Sequence, residues 1–457
     1  MNRNSHIAAA IAAILGTAAA GSALAVGPVP TLAEAAAPDV SLYIAGSSAA
    51  KNGVLAALQT NLCGGISNAL TITSSPNTNF LAVSCRPGTV AVPVAGGDGT
   101  KVFTIYNRFE GGSVVGALPI ANNDPINQLD LTKTAFITCG TATACTATVN
   151  GTSSANGTTD TFTGAVSTHA VQMGILDVEP AALTGNNYPT PYSTAAWGPV
   201  NPSGVAALNS GVLFDQVFGI FVNTGTTPGI QTPLNLSTQM IAHILTKEIT
   251  NWSQVTDTGG NQVSSTSIPI VIVNREQGSG SRAATDLLIA GDVCQGHGAK
   301  IAEASKTAID FFSTGDVLNA LNTTGGGISY ATIDNAIQGN TTLVALNGVA
   351  PTNLAAAGGS YPFWVESTYT TNPNAPANAT LLGYITSTLQ AVGTAPHIKS
   401  ILANPNVGGN AAHVDVVSNS NVATGSLTGL GSAPIYVNPF TRSKVTCNIP
   451  LQVATVP

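Results

Sequence analysis

The chain has 457 residues, of which only 8% are charged, and 14 Lys+Arg against 21 Asp+Glu leave a net charge of −7. That acidic balance argues against nucleic acid or an anionic membrane surface as a partner. So few charges also leave little to oppose self-association, and no apolar run beyond the N-terminal one reaches the roughly 18 residues of a spanning helix.

Arg3 and a short polar start precede an apolar stretch over 7–25 that ends in Ser22-Ala23-Leu24-Ala25. This is the pattern of a signal peptide with a small-x-small cleavage site, so residues 1–25 are expected to be removed and the protein exported, to the periplasm or the cell exterior. A later cut in the Ala-rich stretch to Ala37 and an uncleaved anchor are the rivals; alanine and glycine make the run weakly hydrophobic for an anchor. The first cysteine, Cys63, stands far from the cut, which argues against a lipid anchor. Without residues 1–25 the balance becomes 13 Lys+Arg against 21 Asp+Glu, a net of −8. The remaining length suggests two or three domains.

The apolar stretch 40–44 predicts a strand running into Ala45-Gly46-Ser47-Ser48-Ala49-Ala50, and 53–62 predicts a helix. A strand over 101–106 leads to Asn107-Arg108-Phe109-Glu110-Gly111-Gly112-Ser113. Residues 131–168 are rich in Thr, Ser, Gly and Asn and read as a hairpin-like insertion or a long loop, pinned by a disulfide. Strands follow over 170–176, ending at Asp177, and over 214–222; a helix is expected over 236–245, before Ile249-Thr250-Asn251-Trp252.

The most informative stretch comes next. A β-branched run over 268–273 reads as a buried strand and 283–290 as a helix, with Arg275 and Gly278-Ser279-Gly280-Ser281 between them. Glycines let backbone N–H groups converge where a helix begins, serines add donors, and the helix dipole favours negative charge there. An arginine upstream adds a charge-assisted contact to an oxyanion. The plainer reading makes Ser279 or Ser281 an N-cap and Arg275 a surface charge. A nucleotide-binding P-loop is excluded, since no lysine follows the turn. A helix over 309–321 and the stretch Gly325 to Tyr330 complete this half, and the tail from about 404 is Gly/Asn/Ser-rich before turning strand-like. Strands alternating with helices point to an α/β protein with mainly parallel sheets.

Six cysteines in an exported chain suggest three disulfides, with 15 pairings open. Near neighbours favour Cys63–Cys85 and Cys139–Cys145, which leaves Cys294–Cys447. No Cys-x-x-Cys pair or His-x-x-x-His suggests a metal, and His169, His243, His297, His397 and His413 are scattered without metal spacing.

Several of these pieces, in this order, resemble the PstS-like periplasmic phosphate-binding proteins, a branch of the two-domain (type II) solute-binding fold. The matching stretches are Ala45 to Ala49, Tyr106 to Ser113, Met173 to Asp177, Leu236 to Trp252, Arg275 to Ser281 and Gly327 to Tyr330. The resemblance implies a ligand in the cleft between two domains: 39–213 with 346–457 as the first, carrying the insertion, and 214–345 as the second. It implies phosphate contacts from the Ser48 hydroxyl, the Ala49 N–H, Ser113, Asp177 as acceptor of the ligand's proton, Arg275, and Ser279, Gly280 and Ser281 at the helix start. Two departures stand out. Gln277 occupies the place where the family usually has an aspartate paired with the arginine, and the stretch between Ser48 and Asp177 is longer than usual.

The expected function is therefore an exported oxyanion-binding protein, for inorganic phosphate, needing no cofactor and working for uptake or scavenging, with an ABC transporter permease as partner. An extracellular structural or adhesive protein reusing the fold is the second class. A secreted phosphatase is the third, but no Gly-x-Ser-x-Gly elbow, His-Glu-x-x-His or paired-carboxylate cluster supports an enzyme.

Overall fold

The computed structural model describes residues 27–88, 98–151, 161–183, 202–290, 309–311, 313–333, 337, 339–357 and 359–372, and beyond them only the short strands Val417–Ser418, Gly425–Leu427, Ile435–Asn438, Phe440–Thr441 and Val453–Ala454. The expected signal peptide and the expected Cys294–Cys447 pair lie outside the described residues. Cys63–Cys85 and Cys139–Cys145 are bonded as expected.

The chain opens with a one-turn helix α1 (Leu32–Ala36), capped by Thr31 and Glu34, and then enters β1 (Val40–Gly46). After α2 (Lys51–Ala57), continued as a wider turn Leu58–Leu62, come β2 (Leu70–Pro76), β3 (Phe80–Cys85) and β4 (Phe103–Arg108). Next are α3 (Leu118–Asn122), β5 (Pro125–Leu129), the insertion strands β6 (Ile137–Thr141), β7 (Ala144–Asn150) and β8 (Thr163–Gly164), then β9 (Val166–Ala170) and β10 (Met173–Leu176). Helix α4 (Pro202–Ala206) leads into the 15-residue β11 (Asn209–Asn223), followed by β12 (Asn235–Leu236), α5 (Thr238–Leu245) and β13 (Val271–Arg275). Helix α6 (Gly280–Thr285), β14 (Ile309–Phe311), α7 (Thr314–Thr323), β15 (Gly327–Thr332), β16 (Thr341–Leu346), α8 (Asn353–Ala357) and β17 (Trp364–Thr371) complete it.

One large sheet carries the fold, in the order β14-β13-β15-β11-β17-β10-β1-β4-β3-β2-β7-β6. Of the strands before residue 177, all but β5 and β9, which pair as a separate two-stranded sheet, form one half, and β12 to β16 form the other, while β11 and β17 lie between them. The first part of β11 (209–217) pairs with β17, and its second part (218–223) pairs with β15 and β16, so a single strand serves both halves.

The pairing is mixed rather than mainly parallel. Around the strand ends that matter below it is parallel: β1 with β4 and β10, and β13 with β14 and β15. Elsewhere β11 and β17 run antiparallel to their neighbours, and β2–β3 and β6–β7 are hairpins whose short loops force antiparallel pairing. β3, β4, β10 and β15 are buried along their whole length, as sheet strands covered on both faces must be. β7 alternates exposed and buried residues, as a strand of an insertion with one wet face should.

Beyond shifts of a few residues at element ends, two elements differ in kind or number from the sequence reading. Residues 170–176 are not one strand: β9 pairs with β5, β10 pairs with β1, and the break lies between, where Gln172 exchanges hydrogen bonds with the Tyr43 backbone. The helix expected over 309–321 is β14 followed by α7, because Ser313 caps the helix start at the Asp316 N–H and Phe311 belongs to the sheet. Among the described residues no helix is long and apolar enough to cross a membrane.

Candidate functional site

The site begins where parallel strands end side by side. β1 finishes at Gly46, in register with Ile175 of β10 and with φ at 141°. A Cβ there would lie 1.8 Å from the Ile175 carbonyl oxygen, so only glycine lets the strands close up. The next residue, Ser47, donates its N–H to that carbonyl at 2.8 Å and its hydroxyl to Asp177 Oδ1. The Ala49 N–H in turn donates to Ser47 Oγ at 3.1 Å.

β4 ends at Arg108, and the chain then turns through Gly111 and Gly112, both at positive φ. Gly112 is pressed against the Gly278 carbonyl, which accepts the Val114 N–H at 2.9 Å. This backbone bond joins the two halves of the sheet directly. Ser113, buried, accepts the Asp177 N–H on its hydroxyl at 3.0 Å.

From the other half, β13 ends at Arg275 and the Gly/Ser turn starts α6. Ser279 is the N-cap, its hydroxyl accepting the Arg282 N–H, so the plainer reading of Ser279 holds. Gly280 is packed so tightly that a Cβ would fall 2.2 Å from Ser113 Oγ and 2.8 Å from Asp177 Cβ. The Ser281 hydroxyl donates to Asp177 Oδ2 at 3.1 Å and accepts from Arg275 Nη1 at 3.3 Å, bridging the carboxylate and the guanidinium. Arg275 Nη1 also donates to Thr314 Oγ1 at 3.1 Å, and Nε donates to the Phe311 carbonyl at 3.3 Å. Thr314 reaches back to the first half of the sheet: its N–H donates to Ser48 Oγ at 3.3 Å, and the two hydroxyls lie 3.3 Å apart.

Charge is nearly out of reach of water here, with Asp177 2% and Arg275 1% exposed. Burial pushes the Asp177 carboxyl above its ordinary range, while the Ser47 hydroxyl, the Arg275 charge and the Ser281 hydroxyl work to keep it ionised. Burial draws the Arg275 guanidinium down, and Asp177 opposes that. A guanidinium stays cationic in proteins, so the pair is a buried cation and carboxyl group linked by a hydroxyl.

Of the residues singled out in the sequence, Ser113, Asp177, Arg275, Gly280 and Ser281 thus meet in one cluster although up to 168 positions separate them. Ser48 joins through Thr314, Ala49 supports the loop through Ser47, and Ser279 caps the helix. Ser47 and Thr314 were not among them. A groove of about 610 Å³ at the insertion, lined by Thr132, Lys133, Phe136, Phe162, Thr163 and Val166 among others, shares none of these residues. Among the described residues no group of three or more His, Cys, Asp or Glu is placed to hold a metal.

Residues 216–388 match the family described as the PBP superfamily domain. Among solved structures the chain is similar to a candidate phosphate ABC transporter substrate-binding protein from Clostridium perfringens with bound phosphate, at 14% identity over 79% of this chain and 96% of that one, with a TM-score of 0.44. It is also similar to the phosphate binding protein of Stenotrophomonas maltophilia, at 14% identity, 76% and 84% coverage and a TM-score of 0.40. PstS from Borrelia burgdorferi is a third, at 14% identity, 81% and 98% coverage and a TM-score of 0.35. The match to a PBP superfamily domain thus covers residues 216–388, from within β11 past the end of β17, in a mixed α/β fold.

Proposed function

We propose that this protein is exported and binds inorganic phosphate in the cleft between the two halves of its sheet, for uptake or scavenging. The observation that carries this reading is the Ser281 hydroxyl bridging Asp177 and Arg275, buried against Ser113 and Gly280. A cation, a carboxylate acceptor and several hydroxyl donors within one enclosed cluster are what a protonated oxyanion needs.

In this reading the ligand replaces the hydroxyl bridge. One phosphate oxygen takes charge-assisted bonds from Arg275, and the oxygen bearing the proton donates to Asp177. Ser48, Ser113 and Ser281 supply hydroxyls, and the Gly280 and Ser281 N–H groups, at the first positions of α6, have no partner within the helix turn. Ser279 keeps its capping role, and Ala49 acts through the loop that Ser47 holds. The halves part to admit the ligand and close on it, hinging where β11 and β17 pass from one half to the other. This reading takes the domain boundaries at 213/214 and 345/346. An ABC transporter permease is the partner this function would serve.

Isothermal titration with inorganic phosphate tests the reading. Saturable binding that is weakened in Arg275→Ala supports it, and no binding by the intact protein overturns it.

A further inference from the structure

Thr314 belongs to no motif that the sequence displays, yet it stands at the centre of the cluster. It is the first residue of the ten-residue α7, fixed there by the Ser313 cap, and it is buried. Its hydroxyl accepts from Arg275 Nη1 while its own N–H donates to Ser48 Oγ. Two further partners of the guanidinium, Ser281 and Phe311, differ from it in kind. Ser281 is shared with Asp177, so it must reorient when an oxyanion enters, and the Phe311 carbonyl holds only Nε. Thr314 is β-branched, with a restricted χ1, and being neutral it can place the guanidinium without offsetting its charge.

We propose that Thr314 is the positioning residue for Arg275 in the phosphate site. This rests on the phosphate reading for its ligand but not for its geometry. Three variants test this. Thr314→Val keeps the shape and removes the hydroxyl, Thr314→Ser keeps the hydroxyl, and Ser48→Ala breaks the link to the first half of the sheet without touching Arg275.

The experiment has two readouts. In ligand-free protein labelled with ¹⁵N-arginine, which has only six arginines in its full sequence, the Arg275 Nε–H resonance should move or broaden in Thr314→Val and stay in place in Thr314→Ser and Ser48→Ala. In titrations with inorganic phosphate, Thr314→Val should lose about tenfold or more in affinity, as expected for losing a hydrogen bond to a charged group, and Thr314→Ser should stay within about threefold. An unmoved Arg275 resonance in Thr314→Val, or wild-type phosphate affinity in that variant, overturns the proposal. Should the wild type take up no phosphate, the functional reading falls while the Nε–H resonance still decides whether Thr314 positions Arg275.

Discussion

Two arginines close parallel-paired strands in this protein and are followed by similar sequence: Arg108-Phe109-Glu110-Gly111-Gly112-Ser113 after β4, and Arg275-Glu276-Gln277-Gly278-Ser279-Gly280-Ser281 after β13. Both are fully buried, and their surroundings are opposite in character. Arg275 is surrounded by hydroxyls and lies beside a carboxyl group. Arg108 lies over the rings of Phe80 and Phe162, at 5.6 and 5.0 Å, and donates to the Asn127 carbonyl at 3.4 Å. Phe162 comes from the insertion, so the Thr-rich segment closes over Arg108 and makes it a packing element. A buried arginine after a strand therefore does not mark an anion site by itself; what surrounds the guanidinium decides.

The contrast can be broken most severely at Arg108. Its replacement by alanine leaves two phenyl rings facing a cavity and should lower stability by about 2–5 kcal/mol in chemical denaturation, while folded protein keeps its phosphate affinity. A binding defect without a stability loss would mean that the two arginines share a function. The disulfides come next. Opening Cys63–Cys85, which spans 22 residues beside the first site loop, should cost about 3 kcal/mol, against about 2 kcal/mol for the 6-residue Cys139–Cys145 loop in the insertion. Separate double Cys→Ala variants, compared by denaturation, would contradict this if the order were reversed.

Arg275→Ala should cost roughly 1.5–3 kcal/mol of phosphate binding through loss of a charge-assisted pair. Titration calorimetry reads this, and unchanged affinity removes Arg275 from the site. The smallest effect is a slope with pH. Because burial raises Asp177, in the pH interval between its unfolded and folded values the folded protein holds a proton there that the unfolded chain has released, and above that interval it is ionised. Its contribution to stability is complete below the ordinary carboxylate value near pH 4 and is lost as pH rises through the raised one, at up to about 1.4 kcal/mol per pH unit. Asp177→Asn should flatten this part of the stability profile. An identical slope in the variant assigns the titration elsewhere.

Much of the Arg275 cluster was legible because its chemistry is local in sequence. The strand, the arginine and the Gly/Ser turn lie within about a dozen residues, and Asp177 and Ser113 follow strand ends in the same way. What escaped depends on contacts between strands. Ser47 rather than Ser48 reaches Asp177 because Gly46 lets β1 press against Ile175, a fact of pairing that no local pattern carries. Thr314 was hidden inside a helix read over 309–321, where apolar periodicity outweighed the capping signal of Ser313 with Asp316 three residues on. The mixed pairing was equally invisible. Register pairs such as Gln216 with Val365 join residues far apart in sequence, and strands buried on both faces show no alternation from which to read a partner.

The most direct test of the central claim sets phosphate against sulfate at neutral pH. An ionised Asp177 can only accept, so a ligand without a proton leaves a repulsion and an unmade bond in a buried site, at a cost of roughly 2 kcal/mol or more. Competition titration should show phosphate preferred by well over tenfold in the wild type and the preference relaxed in Asp177→Asn. Sulfate competing equally with phosphate in the wild type would place Asp177 away from the ligand and contradict the account.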